Sequence, residues 1–258
     1  MKLGDYELNQ IYNEDSYQAI KKIPDKSIDL IIVDPPYLIE NTNSGKTNEL
    51  GKSIANVNQQ IEERRELLAN GITNEFLQSM LRVQDKINVY IWCNHKQIPQ
   101  YIDFYVNKHK CSFDILIWYK TNATPLFSNK YMTDKEYCLY FRKNGYCNPK
   151  TYEDGKTIML DSKNVNDKKN YLHPTIKPLE MIKKLIRNSS KENDIVADFF
   201  LGSGTTCVAA KELGRRYIGF EIDKGYYNIA VDRLNGINAN GQTSIFTDFE
   251  TEQKEMEI

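Results

Sequence analysis

The chain reads as an α/β fold, a mixed and mostly parallel sheet with helices on both faces. Three observations predict it. The run Ile28-Asp29-Leu30-Ile31-Ile32-Val33 is largely apolar, too short for a helix and stopped by Pro35 and Pro36, as suits a strand buried on both faces. A second run, Asp194-Ile195-Val196-Ala197-Asp198-Phe199, feeds Gly202-Ser203-Gly204-Thr205-Thr206 and then helical sequence. Elsewhere, β-branched and aromatic runs alternate with stretches of helical period, the order that joins parallel strands through crossover helices.

In chain order, Leu8 to Asn13 predicts a short strand, and Glu14-Asp15-Ser16 starts a helix over Tyr17 to Ile23. Pro24-Asp25-Lys26-Ser27 turns the chain into the buried strand. Residues 38–70 are polar and asparagine-rich, and so long a connection in a compact domain predicts a functional, mobile loop. Thr73 is an N-cap for a helix over Ile72 to Val83, with Phe76, Leu77, Met80, Leu81 and Val83 on one side. Strands follow at Ile87 to Trp92 and Phe113 to Trp118, with a helix over Ile98 to Asn107 between them. Glu136 to Phe141 is hairpin-like and reads as an antiparallel edge strand, and Tyr146 to Asn170 is polar and irregular. Pro178 suits the first turn of a helix over Leu179 to Asn188. Beyond the glycine turn come a helix over Cys207 to Leu213, a strand over Tyr217 to Glu221 and a helix over Tyr226 to Leu234. One domain over residues 1–234 accounts for the length, and the acidic residues 235–258 are expected to be disordered.

Composition excludes several classes. The five cysteines are an odd number without CxxC spacing, so they suggest neither a disulfide framework nor a zinc site, and no metal is expected. No run approaches the length of a membrane span and the N-terminus lacks a signal-peptide core, so a cytoplasmic protein without membrane contact is expected. The net charge of −1 hides a segregation. From Lys120 to Lys191 there are 15 Lys and Arg against 7 Asp and Glu, a local +8, which leaves 19 against 28 elsewhere. A basic face of this kind suits phosphates, with a merely solvated surface as the lesser alternative.

The tetrapeptide Asp34-Pro35-Pro36-Tyr37 ends the buried strand, at the sheet edge where α/β proteins bind ligands. A carboxylate, two fixed φ angles, a backbone carbonyl and an aromatic face could grip a flat base bearing an amino group. Asp-Pro-Pro is also ordinary turn chemistry. The second half of the chain shifts the balance. Its glycine turn allows close approach to a ligand, and Glu221, 17 residues after Gly204, is placed to accept from ribose hydroxyls. A dehydrogenase is opposed by the missing third glycine of G-x-G-x-x-G and by the lack of a second catalytic domain.

These residues, with His173-Pro174-Thr175-Ile176-Lys177-Pro178, resemble the beta-type N(4)/N(6) DNA amino-methyltransferases, in which Asp-Pro-Pro-Tyr precedes the cofactor loop. The resemblance runs from Asn9 to about Leu234, and Phe199 stands where that family has proline. It implies a seven-stranded, Rossmann-like methyltransferase sheet, circularly permuted, with an antiparallel edge strand and a small target-recognition insertion at residues 145–172. It implies S-adenosyl-L-methionine as cofactor, bound by Asp15, Asp34, Leu38, His173, Thr175, Lys177, Asp198, Phe200, Gly202, Ser203, Gly204, Thr205, Glu221 and Asp223. Catalysis falls to Asp34, Pro35, Pro36 and Tyr37, with Tyr37 stacked on a flipped base. Double-stranded DNA is the implied partner, and Lys130, Arg142, Lys143, Lys150, Lys163, Lys168 and Lys169 are the candidate contacts. Asp rather than Ser in the tetrapeptide favours adenine. A cytosine N(4)-methyltransferase, an RNA methyltransferase and a non-catalytic DNA-binding subunit are the alternatives. A cognate restriction endonuclease, an orphan or phage role, and monomer or homodimer all stay open.

Overall fold

A computed structural model describes residues 1–37, 71–121, 123, 131–160 and 176–237. The expected mobile loop at 38–70, residues 161–172 of the expected recognition insertion and the tail from 238 lie outside them. The N-terminus forms a small antiparallel ribbon of Lys2–Leu3 (β1) and Tyr6–Glu7 (β2). The main sheet is built from Gln10–Tyr12 (β3), Leu30–Val33 (β4), Ile87–Cys93 (β5), Ser112–Tyr119 (β6), Lys135–Lys143 (β7), Ile158–Leu160 (β8), Ile195–Asp198 (β9) and Arg216–Phe220 (β10). Its spatial order is β3-β10-β9-β4-β5-β7-β6-β8. Every neighbouring pair is parallel except β5 with β7 and β6 with β7. The antiparallel strand thus lies near one edge, inserted between β5 and β6, and the three-residue β8 adds a strand beyond the seven expected.

The helices are Ser16–Lys22 (α1), Asn74–Arg82 (α2), Ile98–Tyr101 (α3), Tyr152–Gly155 (α4), Leu179–Ser189 (α5), Thr205–Glu212 (α6) and Lys224–Leu234 (α7). The helix expected over Ile98 to Asn107 forms, but its second part, Ile102–Lys108, widens into π-helical hydrogen bonding. No helix among the described residues is long and apolar enough to cross a membrane.

The buried strands serve two cores at once because successive side chains point to opposite faces. Ile31 and Val33 face one core with Phe76, Leu77 and Phe199. Leu30 and Ile32 face the other with Ile182, Leu185 and Val196. Phe199, the departure from the family's proline, is fully buried, stacks on Phe220 at 5.8 Å and meets Phe76 edge-on at 5.8 Å. Its carbonyl accepts the Ser16 hydroxyl, so α1 is tied to the exit of β9.

Candidate active site

Four parallel strands, β3, β10, β9 and β4, end at the same edge of the sheet. β4 and β9 pair directly, Leu30 with Val196 and Ile31 with Ala197, so the strand ends that carry Asp34 and Asp198 are neighbours, with Asp198 level with Ile32 in this register. β10 brings Glu221 next to them, and β3 leads on to Asp15.

On the β9 side, Gly202 (φ +53°) and Gly204 (φ +83°) take the left-handed backbone that side chains resist. A Cβ on Gly204 would also lie 2.9 Å from Ala230 Cβ. The Glu221 carboxylate braces this turn: Oε2 accepts the Gly202 N–H and Oε1 the Asp223 N–H, both at 2.8 Å. Burial pushes its pKa up, although these backbone donors oppose the shift. Asp223 caps α7 by accepting from Tyr226 N–H at 2.9 Å, and Asp15 caps α1 by accepting from Tyr17 N–H at 2.9 Å. Phe200 is half-buried, and its N–H donates to Asp198 Oδ1 at 3.0 Å. Arg233, which belongs to no motif, is buried beneath the turn. Its Nη1 donates to the Ser203 carbonyl at 2.8 Å and lies 2.9 Å from both Ser203 Oγ and Thr205 Oγ1. Its place in the site comes only from α7 packing back under the loop.

Asp198 is 4% exposed and no cation pairs with it among the described residues. Burial, with added repulsion from Asp34 and Glu221, pushes its pKa up to about 7 against the Thr206 and Phe200 hydrogen bonds. A buried carboxylate without a counter-ion suits a ligand that brings positive charge. For a group whose folded pKa is raised, folding favours the acid form. The contribution is therefore largest below the ordinary value of 3.8 and lost as pH rises through about 7. Urea unfolding of the ligand-free chain between pH 4 and 8 is expected to show a loss of a few kcal/mol at most that Asp198→Asn does not show. Parallel stability curves for chain and variant would contradict this.

On the β4 side, the tetrapeptide is held from three directions. The buried Gln97 side chain donates from Nε2 to the Pro36 carbonyl at 3.2 Å. The Tyr37 hydroxyl lies 3.0 Å from Asp34 Oδ1 and 3.2 Å from Glu136 Oε2, and its single proton serves one of them at a time. Burial, then the two carboxylates, hold the Tyr37 pKa far above the usual phenol range. Lys177 Nζ lies 2.5 Å from Asp34 Oδ2 and 3.1 Å from Glu136 Oε2, and 5.0 Å from the centre of the Trp92 ring. Lys177 is 8% exposed; burial would lower its pKa, but the two carboxylates outweigh that and raise it. Lys120 closes the group by pairing with Glu136 while standing 4.8 Å over Trp118. Burial would raise the Glu136 pKa, yet Lys177 and Lys120 leave it lowered.

Glu136 was not singled out by the sequence, and topology explains its presence. β7 runs against its neighbours, so its first residues stand at the edge where β4, β5 and β6 end. The one local signal was an acid opening an otherwise apolar strand. The structure thus brings together Asp34, Tyr37 and Lys177 on one side, and Asp198, Gly202 to Thr205 and Glu221 on the other. Leu38, His173 and Thr175 lie outside the described residues, as do Lys130, Lys163, Lys168 and Lys169.

Of the remaining candidate DNA contacts, Arg142 and Lys143 end β7 opposite Asn88 and Ile87, at the sheet edge away from the tetrapeptide. Lys150 is exposed just after Asn148, whose N–H binds the Asn188 carbonyl near the end of α5. Several other cations of the basic stretch have local partners. Lys156 pairs with Glu153, Lys183 with Glu180 and Glu212, and Arg187 with Asp154.

Residues 28–232 match a family model described as DNA methylase. The Type II methyltransferase M2.LlaDCHI of Lactococcus lactis subsp. cremoris is 33% identical over 250 residues, covering 87% of this chain and 88% of its own. The Type II methyltransferase M2.DpnII of Streptococcus pneumoniae is 31% identical, covering 88% of this chain and 90% of its own. Among solved structures, the M1.HpyAVI–SAM complex superposes with a TM-score of 0.61 at 28% identity, covering 88% of this chain and 99% of that one. PvuII DNA methyltransferase (cytosine-N4-specific) shares the fold, with a TM-score of 0.63 at 14% identity.

Proposed function

The chain belongs to the DNA methylase family, and from that premise we propose that it methylates the exocyclic amino group of adenine in double-stranded DNA at a specific site. The observation that carries the reading is the direct pairing of β4 with β9, whose neighbouring ends carry the tetrapeptide and the glycine turn. The glycine turn, with the buried Asp198 carboxylate that no cation pairs with among the described residues, fits S-adenosylmethionine, held by Glu221 at the ribose and by the Phe200 to Thr205 turn. When bound, that cofactor supplies an electrophilic sulfonium methyl group.

The residues of this chain then act on the base. A target inside a duplex cannot reach the tetrapeptide, so it is flipped out, at a cost of about a few kcal/mol. Tyr37 stacks on it. The amino nitrogen is a poor nucleophile because its lone pair is delocalised into the ring. Hydrogen bonds from that amino group to the Asp34 carboxylate and the Pro35 carbonyl localise the lone pair and aim it along the line of attack. The surplus proton becomes acidic once positive charge develops on nitrogen, so Asp34 need not be a strong base. The Asp of the tetrapeptide supports adenine over cytosine. The designation Type II methyltransferase carried by relatives of similar length supports a modification role beside a restriction endonuclease.

DNA from otherwise methylation-free cells expressing the chain, digested to nucleosides, is expected to contain N6-methyladenine on mass spectrometry. N4-methylcytosine in its place would move the target to cytosine.

A further inference from the structure

The catalytic carboxylate of the proposed reaction is already engaged in this structure. Asp34 Oδ1 faces the Tyr37 hydroxyl at 3.0 Å and Oδ2 the Lys177 ammonium at 2.5 Å. A target amino group that takes a place on Asp34 must therefore displace one or both. Removing a buried ammonium from its only carboxylate would leave an uncompensated charge, one of the more expensive events inside a protein. Lys177 does not meet that cost, because Glu136 Oε2 already lies 3.1 Å from its Nζ. The same oxygen lies 3.2 Å from the Tyr37 hydroxyl. Every group that must leave Asp34 thus has the Glu136 carboxylate within reach before it moves. Lys120 pins Glu136 from the other side, and the faces of Trp92 and Trp118 border the ammonium without offering another carboxylate.

We propose that Glu136 is a positioning residue for methyl transfer: it takes over the Lys177 ammonium and the Tyr37 hydroxyl when the target amino group occupies Asp34. The inference rests on the reading of Asp34 given above. In this arrangement Glu136 touches neither base nor cofactor. It acts on how readily Asp34 is released, a step that follows DNA binding and precedes transfer. Its loss therefore appears in kcat rather than in the affinity for cofactor.

The test is steady-state transfer from saturating labelled S-adenosylmethionine to unmethylated bacterial DNA, with cofactor Kd and melting temperature measured alongside. Glu136→Gln, which leaves Lys177 committed to Asp34 alone, is expected to lower kcat by at least about tenfold, with the cofactor Kd within about twofold of the unaltered chain. Glu136→Asp, which keeps the charge on a shorter stem, is expected to give an intermediate kcat. If Glu136→Gln does not fold, a lowered kcat with unchanged cofactor Kd in Glu136→Asp supports the proposal, and an unchanged kcat in that variant overturns it. A folded Glu136→Gln with unaltered kcat, or with cofactor affinity lost in step with kcat, also overturns it. If Asp34→Ala is inactive while Glu136→Gln turns over normally, the reading of Asp34 stands and this inference falls. No transfer by the unaltered chain would overturn both.

Discussion

Replacing Asp34 by alanine is expected to abolish methyl transfer, by on the order of a thousandfold or more, while S-adenosylmethionine still binds. The loss follows from the proposed role of the carboxylate: without it, one of the two acceptors that would aim the amino lone pair is gone. The fold should survive the change. Asp34 follows the last residue of β4 and is not part of either core, and Lys177 keeps Glu136 as a counter-ion at 3.1 Å. Calorimetry of cofactor binding and a melting curve separate a lost acceptor from a lost structure. Turnover near that of the unaltered chain would show that another group activates the nitrogen.

Glu221→Ala is expected to weaken S-adenosylmethionine by about ten- to a hundredfold, the range for losing one charge-assisted hydrogen bond. Two effects add in that number. The carboxylate proposed to meet the ribose disappears, and the Gly202 and Asp223 N–H groups lose the acceptor that fixes the turn, each now 2.8 Å away. Glu221→Gln separates them, since an amide can still accept one of these N–H groups but lacks the charge. It is expected to fall between the unaltered chain and Glu221→Ala. Unchanged affinity in a folded Glu221→Ala would remove Glu221 from the cofactor site.

The parts of the molecule that were legible in the sequence are those with a local physical cause. The run Ile28 to Val33 read as a buried strand and forms one over Leu30 to Val33, and Thr73 announced a helix by its capping oxygen. What the sequence could not disclose depends on topology. Glu136 enters the site because β7 runs backwards, and Arg233 reaches the glycine turn because α7 folds beneath it; neither has a motif. The hairpin β1–β2 and the strand β8 are two or three residues each, too short to carry a period. Charge counting had a different weakness. The net +8 of residues 120–191 already subtracts Glu136, Glu153, Asp154 and Glu180, but it cannot see partners elsewhere in the chain: Lys177 pairs with Asp34 and Lys183 with Glu212.

The most direct measurement is transfer from methyl-labelled S-adenosylmethionine to unmethylated duplex DNA by the purified chain, followed by identification of the labelled nucleoside. Label in the amino group of adenine, dependent on Asp34, is the predicted result. Label that persists in Asp34→Ala, or its absence from DNA with the unaltered chain, would contradict the account.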